Sequence, residues 1–164
     1  MTAEQSLDIA IPSFDKLANE PAKVLGDILS LMGFEAEVEC VEEEERVLLN
    51  INGKESGSLV GDKGETLDTL QYLLNRMVHQ EDDDRKPIVV DCGGYRQRRI
   101  DALVQLAHRL ADKAIQHGKI VAMNPMSAHD RRIIHLTLKE TPGVSTQSEG
   151  EGIYRRLLII PDSE

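Results

Sequence analysis

A pair of glycines three residues apart constrains this chain more than any other feature. Gly61 and Gly64 flank one acid and one base, Asp62 and Lys63, with apolar residues before them and a helix-like pattern after them. Glycine lets the backbone approach a charged ligand, because it has no Cβ and adopts unusual φ angles at little cost. A helix beginning at Gly64 would also present free N–H groups to an anion. A plain tight turn before a helix has the same pattern, so the pair alone decides nothing.

Two common phosphate-binding motifs are excluded. A P-loop needs Gly, four residues and then Gly-Lys-Ser/Thr, and no such string occurs. A Gly-x-Gly-x-x-Gly string is also missing from the sequence. The glycine pair therefore does not indicate a nucleotide-binding fold.

The charge is unevenly distributed along the chain. A formal net charge of −10 argues, as an average, against nucleic-acid binding. Residues 1–94 contain 8 Lys/Arg against 21 Asp/Glu, whereas residues 95–139 contain 9 against 3. A basic block between acidic flanks is typical of a localised polyanion site, although a solvated helix face would also fit.

The hydrophobic periodicity predicts an α+β fold made of two small modules. In the first we expect a helix over residues 14–32 ended by Gly33, a half-buried strand over 34–40 with Cys40 on its inward face, and a strand over 46–51. A helix should follow from the glycine turn to about residue 80, and then a strand over 87–90. In the second we expect a helix over residues 95–116 with Ile115 in its buried stripe and Gly118 ending it, and a strand over 120–123. A helix should follow with Ser127 as N-cap and Asp130 in a capping box, and then strands over 144–146 and 153–160. The predicted divisions are a disordered lead-in or linker remnant at 1–13, modules at 14–93 and 94–161, and a tail at 162–164.

The first module has the layout of a KH domain, in which a Gly-x-x-Gly turn clamps about four nucleotides of single strand. Residues 53–80 resemble the type II KH domain of the bacterial Jag family, also called KhpB, EloR or SpoIIIJ-associated, and the match continues through residues 89–91 and 95–99. The resemblance implies an RNA clamp formed by Gly61, Asp62, Lys63 and Gly64. The family's turn usually carries two basic or neutral residues between the glycines. Asp62 departs from that pattern and leaves Lys63 and backbone N–H groups to bind phosphate.

The second module resembles the family's R-three-H domain, named for an Arg and a His separated by three residues. Here the pair is Arg131 and His135, which lie on one helix face and can meet one phosphate. Spacing alone favours the simpler arrangement of a helix-surface Arg beside a core-edge His. Neighbouring basic residues favour an anion-binding face, and the predicted phosphate-binding set is Arg131, His135, Arg132, Arg98, Arg99 and Lys119. Of Arg155 and Arg156, which alternate across a strand, only one can share that face.

Other chemistries find no support in the sequence. Cys40 and Cys92 are too few and too far apart for a zinc site or a disulfide framework. Ser127, Asp130 and His135 lie on one short helix, which does not allow triad geometry, so we expect no catalysis. We also predict no metal and no cofactor. An aromatic content of 3% argues against a stacking platform of the RNP-sheet kind. Nothing resembles a signal peptide or a membrane span, which predicts a cytoplasmic protein.

The sequence therefore predicts a non-catalytic protein that binds single-stranded RNA, or single-stranded DNA, since the residues do not distinguish the two. The resemblance implies post-transcriptional regulation affecting cell elongation, envelope synthesis or sporulation, with a small KH protein and the membrane-protein insertase as partners. It also implies that the chain is a short member of the family or a piece of a longer one. The alternative is a protein-interaction adaptor, in which the acidic KH module meets a protein and only the second module binds nucleic acid.

Overall fold

The computed structural model describes residues 21–54, 56–79 and 85–162. The chain divides into two compact units between Tyr95 and Arg96. The predicted lead-in, the start of the first helix at residues 14–20 and the end of the tail at 163–164 lie outside the described residues. Both units contain helices and a three-stranded sheet, so the α+β prediction is confirmed.

The first unit places three strands and two helices around one core. Its elements are α1 (Pro21–Leu31), β1 (Glu37–Glu42), β2 (Val47–Asn52), 3₁₀ turns at Ser56–Leu59 and Asp62–Gly64, α2 (Glu65–His79) and β3 (Ile88–Cys92). The sheet order is β1-β2-β3, with β1 antiparallel and β3 parallel to β2. The core includes Leu25, Leu49, Leu67 and Leu74. The parallel β2–β3 pair requires a crossover, and the glycine turn and α2 provide it.

The predicted half-buried strand is more exposed than expected. The described β1 starts at Glu37 rather than Phe34, and five of its six residues are exposed. Cys40, which was assigned to the inward face, is exposed. Because β1 is an edge strand paired on one side alone, the core does not cover it fully. Alternating hydrophobicity identified the strand but not its depth of burial.

Two side-chain amides of α2 connect the helix to β3. Asn75 accepts the backbone N–H of Ile88 at Oδ1 (2.9 Å) and donates from Nδ2 to the Ile88 carbonyl (2.7 Å). Gln71 Oε1 accepts the N–H of Val90 at 3.0 Å. The amides therefore satisfy β3 backbone groups that β2 does not pair, which fixes the position of α2 behind the glycine turn.

The second unit begins with the third helix. The first residue of this helix, Tyr95, is the last residue of the first unit. Its elements are α3 (Tyr95–His117), β4 (Val121–Ala122), α4 (Ala128–Leu138), β5 (Val144–Glu149), a 3₁₀ turn at Gly152–Tyr154 and β6 (Arg156–Pro161). The sheet is antiparallel with order β4-β6-β5. Its core includes Leu103, Ala107, Ile134, Leu138 and Ile159.

Two predictions in this unit were wrong. The final strand starts at Arg156 rather than Ile153, because Gly150 and Gly152 have positive φ angles and residues 152–154 form a 3₁₀ turn. Ile115, assigned to the buried stripe of α3, is 46% exposed, while Ala111 is buried. Among the described residues, no helix combines the length and hydropathy needed to cross a membrane.

Candidate nucleic-acid interfaces

The glycine turn requires glycine at both ends. Gly61 has φ +69°, and a Cβ there would overlap the side chain of Thr66. Gly64 has φ +95°, and its Cβ would approach the Tyr95 ring to 3.0 Å. Lys63 also has a positive φ of +52°, a conformation that side chains rarely adopt. The backbone is thus held in a tight, unusual turn directly before α2.

The glycine turn and the residues directly after it carry more negative than positive charge. Asp62 and Lys63 are both exposed at its tip. The first turn of α2 adds Glu65 and Asp68. Within seven residues of the sequence, three carboxylates therefore accompany the single ammonium group of Lys63. Acids in a first helical turn are favourable for the helix, because they complement its positive end. The same carboxylates would repel a phosphate at this end, because both groups are negatively charged.

In the second unit, Arg131 connects the start of α4 to the start of β6. Its Nη1 donates to the carbonyl of Met126 at 2.9 Å and to that of Arg155 at 3.5 Å. The Met126 N–H donates to the same Arg155 carbonyl at 3.2 Å. Arg131 is partly buried, and its Nε and Nη2 form no hydrogen bond with another described residue. One edge of the guanidinium is therefore anchored by backbone carbonyls, and the other edge has no hydrogen-bond partner among the described residues.

His135, one turn further along α4, is held by β5. Its Nδ1 lies 2.6 Å from Thr146 Oγ1, and the imidazole is otherwise exposed. A hydrogen bond at one ring nitrogen fixes the orientation of the other. Nε2 is thus the atom that can meet a ligand beside Arg131.

Arg155 completes this surface. Its Nε donates to Ser148 Oγ at 3.0 Å, and Ser148 lies two residues after Thr146 on the same side of β5. The His135–Thr146 and Arg155–Ser148 pairs and the bond from Arg131 to the Arg155 carbonyl define a surface of five residues, which we call the α4–β5 face: Arg131, His135, Thr146, Ser148 and Arg155. Arg156 pairs instead with Glu149 on the opposite side of β5, at 2.9 Å. The two arginines therefore lie on different sides, with Arg155 on the α4–β5 face and Arg156 away from it.

Arg99 is placed differently from the other predicted phosphate ligands. Its Nη2 donates to Asp130 Oδ2 at 2.7 Å, and the Asp130 side chain is 7% exposed. Ser127 caps α4 as predicted, because its Oγ accepts the Asp130 N–H at 3.1 Å. The Asp130 carboxylate is directed to Arg99, which differs from the reciprocal arrangement of a capping box. Arg99 therefore stabilises the first turn of α4 through a largely buried ion pair.

The remaining predicted ligands are exposed cations. Arg132 follows Arg131 on α4 and lies about 100° around the helix from it. Arg98 and Lys119 are exposed on α3 and on the segment after it. Sequence reasoning missed Thr146 and Ser148, whose only signal is their spacing of two on one strand. Their role depends on β5 lying against α4, which no local pattern reveals.

No catalytic or metal constellation occurs in the described part of the chain. Ser127 Oγ is engaged by the Asp130 N–H, and His135 is bound to Thr146 rather than to a carboxylate. No group of three or more His, Cys, Asp or Glu residues is arranged to hold a metal ion within the described ranges. The arrangement can bind an anion but offers no activated nucleophile.

Comparisons with known proteins agree with this geometry. The family model "KhpA/KhpB, KH domain" matches residues 22–90, and the model of the R-three-H domain matches residues 101–161. Neither is an enzyme family.

Curated relatives match both units together. The chain is 36% identical over 128 residues to the RNA-binding protein KhpB of Clostridium symbiosum, covering 78% of this chain and 58% of the relative. It is 32% identical over 137 residues to the RNA-binding protein KhpB of Bacillus subtilis (strain 168), covering 82% and 66%. The matched region thus spans about three fifths to two thirds of these relatives. The resemblance predicted from the sequence is confirmed: with a KhpA/KhpB-type KH domain followed by an R-three-H domain, this chain belongs to the KhpB family.

Proposed function

We propose that this protein binds single-stranded RNA, with the α4–β5 face as its principal phosphate site and the glycine turn as a second, weaker clamp. The observation that carries the proposal is the anchoring of Arg131 and His135. One edge of Arg131 is held by the Met126 carbonyl and one ring nitrogen of His135 by Thr146, and the remaining nitrogens of both form no hydrogen bond with a described residue. Preorganised donors bind an anion with less loss of side-chain entropy than free surface cations do.

Charge also supports this order of strength. The α4–β5 face contains two arginines and one histidine with no acid among its five residues, whereas the turn has Lys63 among Asp62, Glu65 and Asp68. We therefore assign phosphate contacts to Arg131, His135 and Arg155, with Arg132, Arg98 and Lys119 as outer cations. Arg99 is left out because its guanidinium pairs with Asp130.

The family resemblance supports a cytoplasmic role in post-transcriptional regulation of cell elongation, envelope synthesis or sporulation. It supports a small KH protein and the membrane-protein insertase as partners. Cross-linking in cells, followed by sequencing of the bound RNA, tests the regulatory part of the proposal. Recovery of no RNA above background would contradict it.

Binding of an RNA oligonucleotide at several salt concentrations tests the phosphate site. A plot of the logarithm of the binding constant against the logarithm of the salt concentration should have a slope near −0.7 per phosphate contact. Arg155→Ala should reduce both the affinity and the steepness of this slope. Arg156→Ala is the matched control, since Arg156 is paired with Glu149 on the opposite side of β5. Equal losses for the two variants would show a general charge effect and contradict the proposed site. A parallel titration with DNA of the same sequence measures the contribution of the ribose hydroxyl.

The adaptor alternative is favoured by the acids around the glycine turn. The variant Lys63→Asp distinguishes the adaptor alternative from RNA binding at the glycine turn. Lys54→Asp is the control, because both lysines are exposed in the first unit. If the turn clamps RNA, Lys63→Asp weakens binding more than Lys54→Asp does. If Lys63→Asp changes nothing while Arg131→Ala abolishes binding, the KH domain is not a clamp and the adaptor alternative stands.

A further inference from the structure

The second unit has one aromatic residue, Tyr154, and it lies on the surface rather than in the core. Among residues 96–164 the sequence contains a single Phe, Tyr or Trp, which is Tyr154. Tyr154 is 75% exposed, and its neighbour Ile153 is 82% exposed. Its hydroxyl forms no hydrogen bond with another residue in the described ranges. Neither packing nor hydrogen bonding of the side chain therefore explains an aromatic ring at this position.

The backbone beneath Tyr154 is firmly held. The Tyr154 N–H donates to the Glu151 carbonyl at 3.1 Å, and the Arg155 N–H donates to the Gly152 carbonyl at 3.3 Å. Gly150 has φ +90°, and a Cβ there would stand 3.2 Å from the Tyr154 carbonyl oxygen. The exposed ring thus projects from a closed 3₁₀ turn, and a tyrosine has few torsions to order on binding.

This turn is joined directly to the α4–β5 face. The residue after Tyr154 is Arg155, whose carbonyl accepts both the Arg131 guanidinium and the Met126 N–H. Consecutive Cα atoms lie about 3.8 Å apart. The backbone of an exposed aromatic residue therefore lies directly beside Arg155, one of the cations that would hold a phosphate.

We propose that Tyr154 is a base-stacking site, on which a nucleobase of the strand held at Arg131 and Arg155 packs. This inference rests on the proposed function and adds a contact to the bases at the same site. Stacking accepts every base, because each has a π face, so the site adds affinity with little sequence preference. Ile153 extends the apolar surface beside the ring. The low aromatic content excludes a broad stacking platform, and a single ring at a phosphate site is a different arrangement.

The full chain and an unstructured RNA oligonucleotide test this site. Tyr154→Ala should weaken binding about 5- to 150-fold, and Tyr154→Phe should retain it, because stacking needs the ring and not the hydroxyl. Ile120→Ala is the control, since Ile120 is an exposed apolar residue of the same unit at 59%. An Ile120→Ala loss as large as that of Tyr154→Ala would overturn the proposal.

An oligonucleotide with the same backbone but abasic sugars separates stacking from phosphate binding. Tyr154→Ala should leave binding to this probe unchanged, whereas Arg155→Ala should still weaken it. Equal weakening of both probes by Tyr154→Ala would show a structural effect on the face and overturn the stacking site.

Fluorescence provides a readout independent of affinity. The chain contains no Trp, so Tyr154→Trp introduces a single reporter. Its emission should be quenched by the RNA and not by the abasic probe. One outcome overturns the stacking site and leaves the proposed function standing. In it, the wild-type chain binds RNA and Arg155→Ala weakens that binding, but Tyr154→Ala keeps the wild-type affinity and the Tyr154→Trp emission is not quenched. If wild-type chain binds neither probe, the proposed function fails with the stacking site.

Discussion

Arg99 Nη2 and Asp130 Oδ2 lie 2.7 Å apart in a largely buried ion pair that joins α3 to the first turn of α4. The Asp130 side chain is 7% exposed and that of Arg99 26%. Removing one partner of a buried pair leaves the other charge without compensation, which costs far more than removing both. Since Arg131 directly follows Asp130, this pair also sets where the α4–β5 face begins.

Arg99→Met is therefore expected to destabilise the second unit by about 3 kcal/mol. Adding Asp130→Asn should recover more than half of that loss, because the double variant buries no unpaired charge. Hydrogen exchange of the α4 amides in the full chain measures the effect. Unchanged protection together with lost RNA binding in Arg99→Met would instead identify Arg99 as a phosphate ligand, as its place in the sequence suggested.

Gly61→Ala should destabilise the first unit by more than about 2 kcal/mol, because it combines a positive φ with a clash against Thr66. Gly57→Ala is the matched control, since a Cβ at Gly57 meets nothing within 4 Å and its φ is not positive. Chemical denaturation followed by circular dichroism compares the two variants. Equal stabilities would mean that the turn does not depend on glycine at position 61.

Thr146→Val should weaken RNA binding about 3- to 10-fold without changing the unfolding temperature, because it removes the hydrogen bond that orients His135. Thr146→Ser retains the hydroxyl and should bind as the wild type does. If both variants bind equally, the orientation of His135 makes no contribution to affinity.

Acid should loosen the β1–β2 hairpin end. A hydrogen bond from Lys86 lowers the pKa of Glu42 below 4.5, and one from Arg46 lowers the pKa of Glu43 below 4.5. A carboxylate whose folded-state pKa is lowered stabilises the fold above its unfolded-state pKa, and this contribution disappears as the pH falls through the lowered value. The first unit should therefore lose stability below about pH 4.5, and Lys86→Met should make that dependence shallower. Thermal unfolding between pH 3 and 6 measures it, and parallel curves for the two proteins would contradict the role of Lys86.

Local patterns in the sequence predicted much of the fold. Glycine at residues 33 and 118 ends α1 and α3, and Ser127 caps α4, because these effects act within one helical turn. The glycine turn was recognisable for the same reason. The start of β6 was misplaced, since alternating apolar residues cannot show that Gly150 and Gly152 divert the chain into a 3₁₀ turn.

The sequence by itself determined the two-module α+β order, the family and the glycine turn, all of which depend on residues close together in the chain. The tertiary structure decided which cations are paired with acids of the protein itself. Arg99 and Arg131 are equally basic in sequence, yet Arg99 pairs with the Asp130 carboxylate while Arg131 donates from one edge of its guanidinium to backbone carbonyls. The same holds for Arg155 and Arg156, whose partners Ser148 and Glu149 lie on opposite sides of β5. The physical reason is that a side chain's availability depends on its neighbours in space, and these come from helices and strands far apart in the chain.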